Sequence, residues 1–111
     1  KIKIVVSGAA GKMGLTILKI ALSDNQLEVV GAIESKNNPA VGCDLGEIIG
    51  TKKTGISVKD NIEKVIKNAD VLIEFTNPTV TLKHLEQVVK LNKKIVIGTT
   101  GFKEKENWAT W

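Results

Sequence analysis

Hydrophobic residues occur along this chain in short runs of strand length, separated by longer segments with helical spacing. Residues 2–6 form a run rich in β-branched side chains, which is typical of a strand buried on both faces of a parallel sheet. Similar runs at residues 28–34, 56–58, 71–75 and 94–97 predict four further strands.

The segments between these strands predict amphipathic helices, because their apolar residues recur three or four positions apart. Asn77 and Pro78 suit the start of one helix, as its cap and its first-turn residue. Asp60 suits another start, with Glu63 three residues later in a capping box. The predicted apolar faces are Met13, Ile17, Ile20 and Ala21, then Ile62, Val65, Ile66 and Ala69, and finally Leu82, Leu85, Val88 and Val89.

The alternation of strands and helices predicts the fold class. We expect an α/β fold with a Rossmann-type parallel sheet and helices on both faces, forming one dinucleotide-binding domain over residues 1–111. The polar stretch 36–53 contains glycines, and we expect it to be irregular. Ligands of such sheets bind beyond the carboxyl ends of the strands, so the segments that follow each strand are the candidate site.

The segment after the first strand has glycines spaced G-x-x-G-x-x-G. Gly8 allows a tight turn, Gly11 allows the backbone to approach a pyrophosphate, and Gly14 allows the following helix to pack closely. The start of that helix offers N–H groups and partial positive charge to phosphates, and Lys12 adds a cation. A turn that needs only flexibility is the alternative, but the strand before it and the helix after it favour nucleotide binding.

Glu34 ends the second predicted strand, twenty residues after Gly14. An acidic residue at this place can bind the ribose hydroxyls of NAD, although a surface glutamate at a strand end is the alternative. Lys36 is close enough to meet a 2′-phosphate, so the pattern leaves NADH and NADPH open. The residues Gly98, Thr99, Thr100 and Gly101 follow the last strand and give a weaker signal for a nicotinamide contact.

Other residues with reactive side chains do not suggest catalysis. His84, the only histidine, lies in the middle of a predicted helix and far from any predicted strand end, so we expect a structural or surface role. Cys43 has no nearby histidine in the sequence. Trp108 and Trp111 are expected to cover a core or an interface. We predict no catalytic residue and no metal ligand in this chain.

The composition is that of a globular protein, with 42% hydrophobic and 25% charged residues. The net charge of +4 comes from scattered lysines, and there is no tyrosine or other aromatic platform, so we expect no nucleic-acid binding. No apolar run approaches the roughly 20 residues of a membrane span, and we expect no signal peptide before the first strand. With a single cysteine as well, we expect a cytoplasmic protein.

Four segments in order give this chain a resemblance to a known family. They are residues 6–14, 42–47, 70–78 and 96–102, with the sequences VSGAAGKMG, GCDLGE, DVLIEFTNP and VIGTTGF. Together they resemble the N-terminal domain of the dihydrodipicolinate reductase (4-hydroxy-tetrahydrodipicolinate reductase) family, and the resemblance covers essentially the whole chain. Lys12 stands where the family usually has arginine, and Ser35 where many members have an arginine that meets the 2′-phosphate.

The resemblance implies a role for each matching position. Glu34 would bind the adenosine ribose. Gly98, Thr99 and Thr100 would lie by the nicotinamide ribose and carboxamide, and Phe75 would line the same crevice. The pyrophosphate would be held by Gly8, Ala9, Ala10, Gly11, Lys12 and Met13.

The resemblance also implies the function of a longer parent protein. It would use NADH or NADPH to reduce 4-hydroxy-tetrahydrodipicolinate or dihydrodipicolinate to tetrahydrodipicolinate in lysine (diaminopimelate) biosynthesis. The family's substrate, catalytic and tetramer-forming residues lie on a C-terminal domain that this sequence lacks, so the isolated fragment is expected to bind cofactor without activity. A stand-alone nucleotide-binding or redox-sensing module, or a Rossmann dehydrogenase acting on an aspartate-like substrate, are the alternatives.

Overall fold

The computed structural model describes residues 1–98 of the chain. Its regular elements alternate along the sequence, and two short 3-10 turns, Ile62–Lys64 and Ile66–Asn68, precede the fourth strand. The elements are β1 (Ile2–Ser7), α1 (Lys12–Ser23), β2 (Leu27–Ile33), α2 (Leu45–Ile49), β3 (Val58–Lys59), β4 (Val71–Glu74), α3 (Pro78–Lys90) and β5 (Lys94–Ile97).

All five strands run parallel in one sheet with the order β3-β2-β1-β4-β5. From β1, successive strands are therefore added toward one edge of the sheet, and β4 and β5 are then added on the other side of β1. Ser7 at the end of β1 pairs with Ile33 of β2 and with Glu74 of β4. The segments leaving these three strands are thus brought together at one edge of the sheet, at the switch point where Rossmann-type sheets bind ligands.

Two separate hydrophobic cores cover the two faces of the sheet. On one face, Ile4 and Val6 of β1 pack with Leu18 of α1 and Leu45 of α2. On the other face, Val5 packs in a cluster that includes Val88 of α3. Helices therefore cover both faces of the parallel sheet, which confirms the predicted α/β, Rossmann-type fold.

The apolar face predicted for α1 is only partly confirmed, because Ala21 is buried and Ile17 packs against the core but the other two predicted residues do not. Met13 and Ile20 are 54% and 59% exposed, whereas the buried residues of the helix are Gly14, Leu18 and Ala21. A β-carbon at Gly14 would overlap the carbonyl oxygen of Gly8, so only a glycine lets the helix lie this close to the preceding turn. That contact sets the rotation of the helix, and hydrophobic spacing alone could not supply it.

The predicted face of α3 also needs correction. Its start is as expected, because the Asn77 side chain accepts a hydrogen bond from the N–H of Val80 and Pro78 is the first helical residue. Val88 is buried, but Val89 is 70% exposed. The remaining buried positions are polar: they are Thr81 and His84.

The stretch 36–53 is more ordered than its composition suggests, because it contains α2. Asp44 caps this helix, and its carboxylate also binds the chain ten residues later. In the next segment, Asn61 rather than Asp60 caps a 3-10 turn, and Asp60 forms an ion pair with Lys64 instead. The predicted apolar residues there are all buried: Ile62, Val65, Ile66 and Ala69.

Several sequence-based expectations lie outside the described residues. They concern Thr99, Thr100, Gly101 and the two tryptophans, Trp108 and Trp111. Within residues 1–98, none of the helices combines the length and the apolar character needed to cross a membrane.

Candidate functional site

A pocket of about 560 Å³ lies at the carboxyl ends of β1, β2 and β4. This is the edge of the sheet at which the sequence predicts a nucleotide site. The residues lining it include four of the predicted site residues and several that were not predicted. They are Ser7, Gly8, Gly11, Ile33, Glu34, Ser35, Lys36, Asp60, Phe75, Thr76, Asn77, Val80 and His84.

The turn after β1, which we call the glycine turn (residues 8–14), has the tight geometry that its sequence predicts. Gly8 has φ +83°, a left-handed conformation that favours glycine. A β-carbon there would overlap the carbonyl oxygen of Phe75, so the loops after β1 and β4 are in direct contact. The N–H groups of Gly8 and Ala9 donate to the Ile33 carbonyl at 3.0 and 3.2 Å, which anchors the turn to the end of β2.

The start of α1 faces this pocket without a capping side chain. Gly11 is the N-cap residue and lines the pocket, and no acidic residue occurs in the first turn of the helix. Lys12, the first helical residue, is exposed. The positive end of the helix dipole therefore lies at the pocket, which suits phosphate groups, whereas Lys12 is not among the lining residues.

Glu34 lies directly beyond β2 and bridges two backbone groups at the pocket. Its Oε2 accepts a hydrogen bond from the Ala10 N–H at 2.8 Å, and its Oε1 accepts one from the Ser35 N–H at 3.0 Å. The glycine turn and the carboxylate predicted to bind ribose are thus linked. A carboxylate has about four acceptor positions, so Glu34 retains capacity for hydroxyl donors.

Phe75 follows β4 and forms another side of the pocket. Its N–H donates to the Ser7 carbonyl at 2.9 Å, so the β1–β4 ladder continues one residue past the strand. Its ring lies where a side chain on Gly98 would extend, which brings the end of β5 against the pocket. Gly98 also donates its N–H to the Glu74 carbonyl at 2.9 Å. The other predicted nicotinamide contacts, Thr99 and Thr100, lie outside the described residues.

A buried polar group next to the pocket was not predicted. We call it the Glu74 cluster, and it comprises Ser7, Glu74, Thr76 and His84. Glu74 is fully buried, and its Oε1 lies 2.6 Å from Nδ1 of His84. Its Oε2 accepts hydrogen bonds from the hydroxyls of Ser7, at 3.0 Å, and of Thr76.

The Glu74 cluster corrects the expected position of His84. The sequence suggested a place far from any strand end, but the side chain reaches the ends of β1 and β4 and lines the pocket. One sequence signal pointed to the cluster, since Glu74 interrupts an otherwise apolar run in a strand buried on both faces. A buried carboxylate needs hydrogen-bond donors.

Two carboxyl groups outside the Glu74 cluster have shifted pKa values. The N–H of Thr54 does most to lower the pKa of Asp44, assisted by the N–H groups of Gly46 and Gly55 and opposed by burial. The Lys64 ammonium lowers the pKa of Asp60, which lines the pocket, and Lys36 contributes weakly in the same direction. Asp60 is therefore a negative charge near the residue predicted to meet a 2′-phosphate.

Comparison with known proteins identifies the family. The family described as "Dihydrodipicolinate reductase, N-terminus" matches residues 2–109. The chain belongs to this family. The 4-hydroxy-tetrahydrodipicolinate reductases of Paraburkholderia phymatum and Burkholderia multivorans are 39% and 42% identical to it, over 94% and 90% of its length. The chain spans 39% and 37% of those two relatives.

Solved structures of known proteins share this fold. A dipicolinate-bound dihydrodipicolinate reductase from Paenisporosarcina sp. TG-14 matches with a TM-score of 0.74 at 25% identity, covering 96% of this chain and 40% of that one. An aspartate semialdehyde dehydrogenase with NADP from Candida albicans matches with a TM-score of 0.71 at 17% identity, covering 90% of this chain and 30% of that one. The match to the dehydrogenase shows only a shared fold. The family match is what confirms the resemblance drawn from the sequence.

Proposed function

We propose that this chain binds NADH or NADPH on behalf of a reductase of lysine (diaminopimelate) biosynthesis. The parent protein reduces 4-hydroxy-tetrahydrodipicolinate or dihydrodipicolinate to tetrahydrodipicolinate. Membership of the family supports the reaction, and the pocket supports the part that this chain performs. A stand-alone nucleotide-binding module has no comparable support.

The observation that carries the proposal is the joint position of the α1 start and the Glu34 carboxylate in one pocket. A diphosphate fits the uncapped helix end, since the missing side chains of Gly8 and Gly14 let the turn and the helix lie close together. The ribose hydroxyls of an adenosine fit the carboxylate. The diphosphate and the adenosine ribose of one dinucleotide thus both have matching groups within one cavity.

The residues of this chain then bind and orient the cofactor. The backbone from Gly8 to Met13 and the Lys12 ammonium hold the pyrophosphate, and Glu34 holds the adenosine ribose. Phe75 and Gly98, with Thr99 and Thr100 beyond them in the sequence, hold the nicotinamide end. When bound, the cofactor supplies a hydride from C4 of the nicotinamide. We assign substrate binding, proton donation and assembly of a homotetramer to the part of the longer relatives that this chain does not cover.

Calorimetric titration with NADH and with NADPH tests this proposal. We expect the chain to bind at least one of them, and Glu34→Ala to weaken NADH binding by about 1–3 kcal/mol because the ribose hydroxyls lose their acceptor. Glu28→Ala is the matched control, because Glu28 is an exposed glutamate on β2, the strand that Glu34 follows. A folded sample that binds neither dinucleotide would contradict the proposal, as would equal losses in the two variants.

A further inference from the structure

The only histidine of the chain lies against the cofactor pocket, yet the function proposed above gives it no role. Its side chain is 11% exposed, and it belongs to a helix whose other buried residues are small or apolar. The partner of its Nδ1 is Glu74, whose side chain is fully buried. A titratable ring held by a buried carboxylate at the edge of a ligand pocket calls for a chemical explanation.

An ionised Glu74 would place a proton on one particular nitrogen of the His84 ring. Ser7 and Thr76 donate their hydroxyls to Oε2 of the carboxylate, and Oε1 lies 2.6 Å from Nδ1 of His84. A carboxylate accepts hydrogen bonds and does not donate them, so the proton at this contact belongs to Nδ1. In the neutral ring, Nε2 is then an acceptor with a fixed direction.

The second ring nitrogen has no hydrogen-bond partner among the described residues. With the residues that the structure describes, His84 forms hydrogen bonds through Nδ1 alone. Every buried side-chain nitrogen and oxygen in residues 1–98 has a partner, so Nε2, which has none, is accessible. Since His84 lines the pocket with Glu34, Ser35 and Lys36, the accessible edge of the ring opens into it.

We propose that Nε2 of His84 accepts a hydrogen bond from the adenosine half of the bound nucleotide, and that Glu74 is a positioning residue that fixes the ring and its tautomer. The inference rests on the cofactor site proposed above. Ionised diphosphate oxygens are acceptors and cannot pair with an accepting nitrogen. The ribose hydroxyls and the 6-amino group of adenine are donors, and the same pocket contains Glu34, the residue that we assign to the ribose.

Two substitutions separate this role from a merely structural one. His84→Asn keeps a side-chain N–H near the position of Nδ1, and so keeps the bond to Glu74, but it removes the far edge of the ring. His84→Gln reaches the position of Nε2 with a polar group but gives up the native contact to Glu74. We expect His84→Asn to bind NADH and ADP-ribose about fivefold to tenfold more weakly with a nearly unchanged Tm, which is the range for one lost neutral hydrogen bond.

The second variant, His84→Gln, should show the opposite combination of affinity and Tm. We expect His84→Gln to recover most of the affinity while lowering the Tm, since Glu74 then lacks one of its donors. Deamino-NADH, in which a carbonyl replaces the 6-amino group, identifies the donor. If the amino group donates, the effect of His84→Asn disappears with this ligand; if a ribose hydroxyl donates, the effect persists. Both outcomes support the proposal.

Nitrogen NMR gives a second measurement that does not depend on any variant. Because the chain contains one histidine, a sample labelled with ¹⁵N-histidine reports on His84 alone. We expect spectra of the tautomer protonated at Nδ1, and a shift of the Nε2 resonance when ADP-ribose is added. An Nε2 resonance that does not move at saturating ADP-ribose would overturn the proposal, as would His84→Asn binding NADH as tightly as the wild type. Wild-type protein that folds but binds no nucleotide would instead overturn the proposed function.

Discussion

The glycine turn and the Asp44 loop (residues 36–57) contain similar residues, but they differ in how many hydrogen bonds their carboxylates accept from the protein itself. Each places glycines beside a carboxylate that accepts backbone N–H groups. Asp44 accepts from the N–H groups of Gly46, Thr54 and Gly55 at 2.7, 2.8 and 2.7 Å, and also from the Thr54 hydroxyl. The acceptor positions of its carboxylate are therefore filled by the loop itself.

The glycine turn pairs the N–H groups of residues 8–11 but leaves the start of the following helix without a capping side chain. Glu34 accepts a single N–H from the turn, that of Ala10, and no side chain caps the helix that follows. In this fold, structural motifs of glycine and acid can therefore be told apart from motifs that bind a ligand. A carboxylate saturated by its own loop stabilises that loop, whereas a helix end and a carboxylate with spare capacity in one cavity offer a site to a ligand.

The largest expected effect comes from Gly8→Ala, with Gly42→Ala in the Asp44 loop as its control. Both glycines have left-handed backbones, with φ +83° and +91°, so each substitution costs about 1–3 kcal/mol in backbone strain. At Gly8 the new β-carbon also overlaps a backbone carbonyl, whereas nothing lies within 4 Å at Gly42. We expect Gly8→Ala to lose the cooperative thermal transition and Gly42→Ala to keep it. Equal losses would mean that the contact with Phe75 is unimportant.

A crossed pair of substitutions tests the comparison itself. We expect Asp44→Ala to lower the Tm clearly, because several buried or half-buried N–H groups lose their acceptor, and to leave the NADH affinity of the remaining folded protein unchanged. Glu34→Ala should do the reverse, with a small change in Tm and a large change in affinity. Differential scanning calorimetry and titration on the same samples measure both. Two variants with the same profile would remove the distinction between the regions.

Acid should weaken the Asp44 loop. The pKa of Asp44 is lowered in the folded chain from its ordinary value of 3.8, chiefly by the Thr54 N–H. Its stabilising contribution is therefore complete above 3.8 and is lost as the pH falls from there through the folded pKa. We expect the Tm of the wild type to fall more steeply across that window than the Tm of Asp44→Asn. Parallel curves would show that this carboxylate is not linked to folding.

The smallest expected effect concerns the choice between NADH and NADPH. Lys36 and Asp60 both line the pocket that contains Glu34, and Lys36 is the residue that we expect to meet a 2′-phosphate. We expect Lys36→Ala to weaken NADPH more than NADH, and Asp60→Asn to strengthen NADPH slightly by removing a like charge from the phosphate. Each effect is about 1 kcal/mol or less, since exposed charges are screened. Equal changes for the two cofactors would exclude these residues from discrimination.

Local sequence patterns were sufficient for the sheet and for the glycine turn. The strand from Ile2 to Ser7 and the turn at Gly8 depend on neighbouring residues, and the sequence predicts both. The rotation of α1 was not predictable, because apolar residues occur around much of the helix and a backbone contact at Gly14 decides which of them are buried.

The Glu74 cluster shows a second reason for the missed features. Glu74 and His84 are ten residues apart, on a strand and on the helix that follows it. Their contact arises only when α3 packs back against the sheet, and the hydrophobic spacing of α3 predicted a different inward face. Polar residues buried in pairs are therefore invisible to a method that reads only apolar periodicity.

The close fit between Gly8 and the Phe75 carbonyl has a practical consequence for redesign. The loops after β1 and β4 occupy one another's space, so they form a single module that must be transferred as a unit between related reductases. Ser35 and Lys36, by contrast, are exposed at the mouth of the pocket and can be exchanged one at a time. Cofactor engineering in this fold should begin with those two side chains and leave the loops after β1 and β4 unchanged.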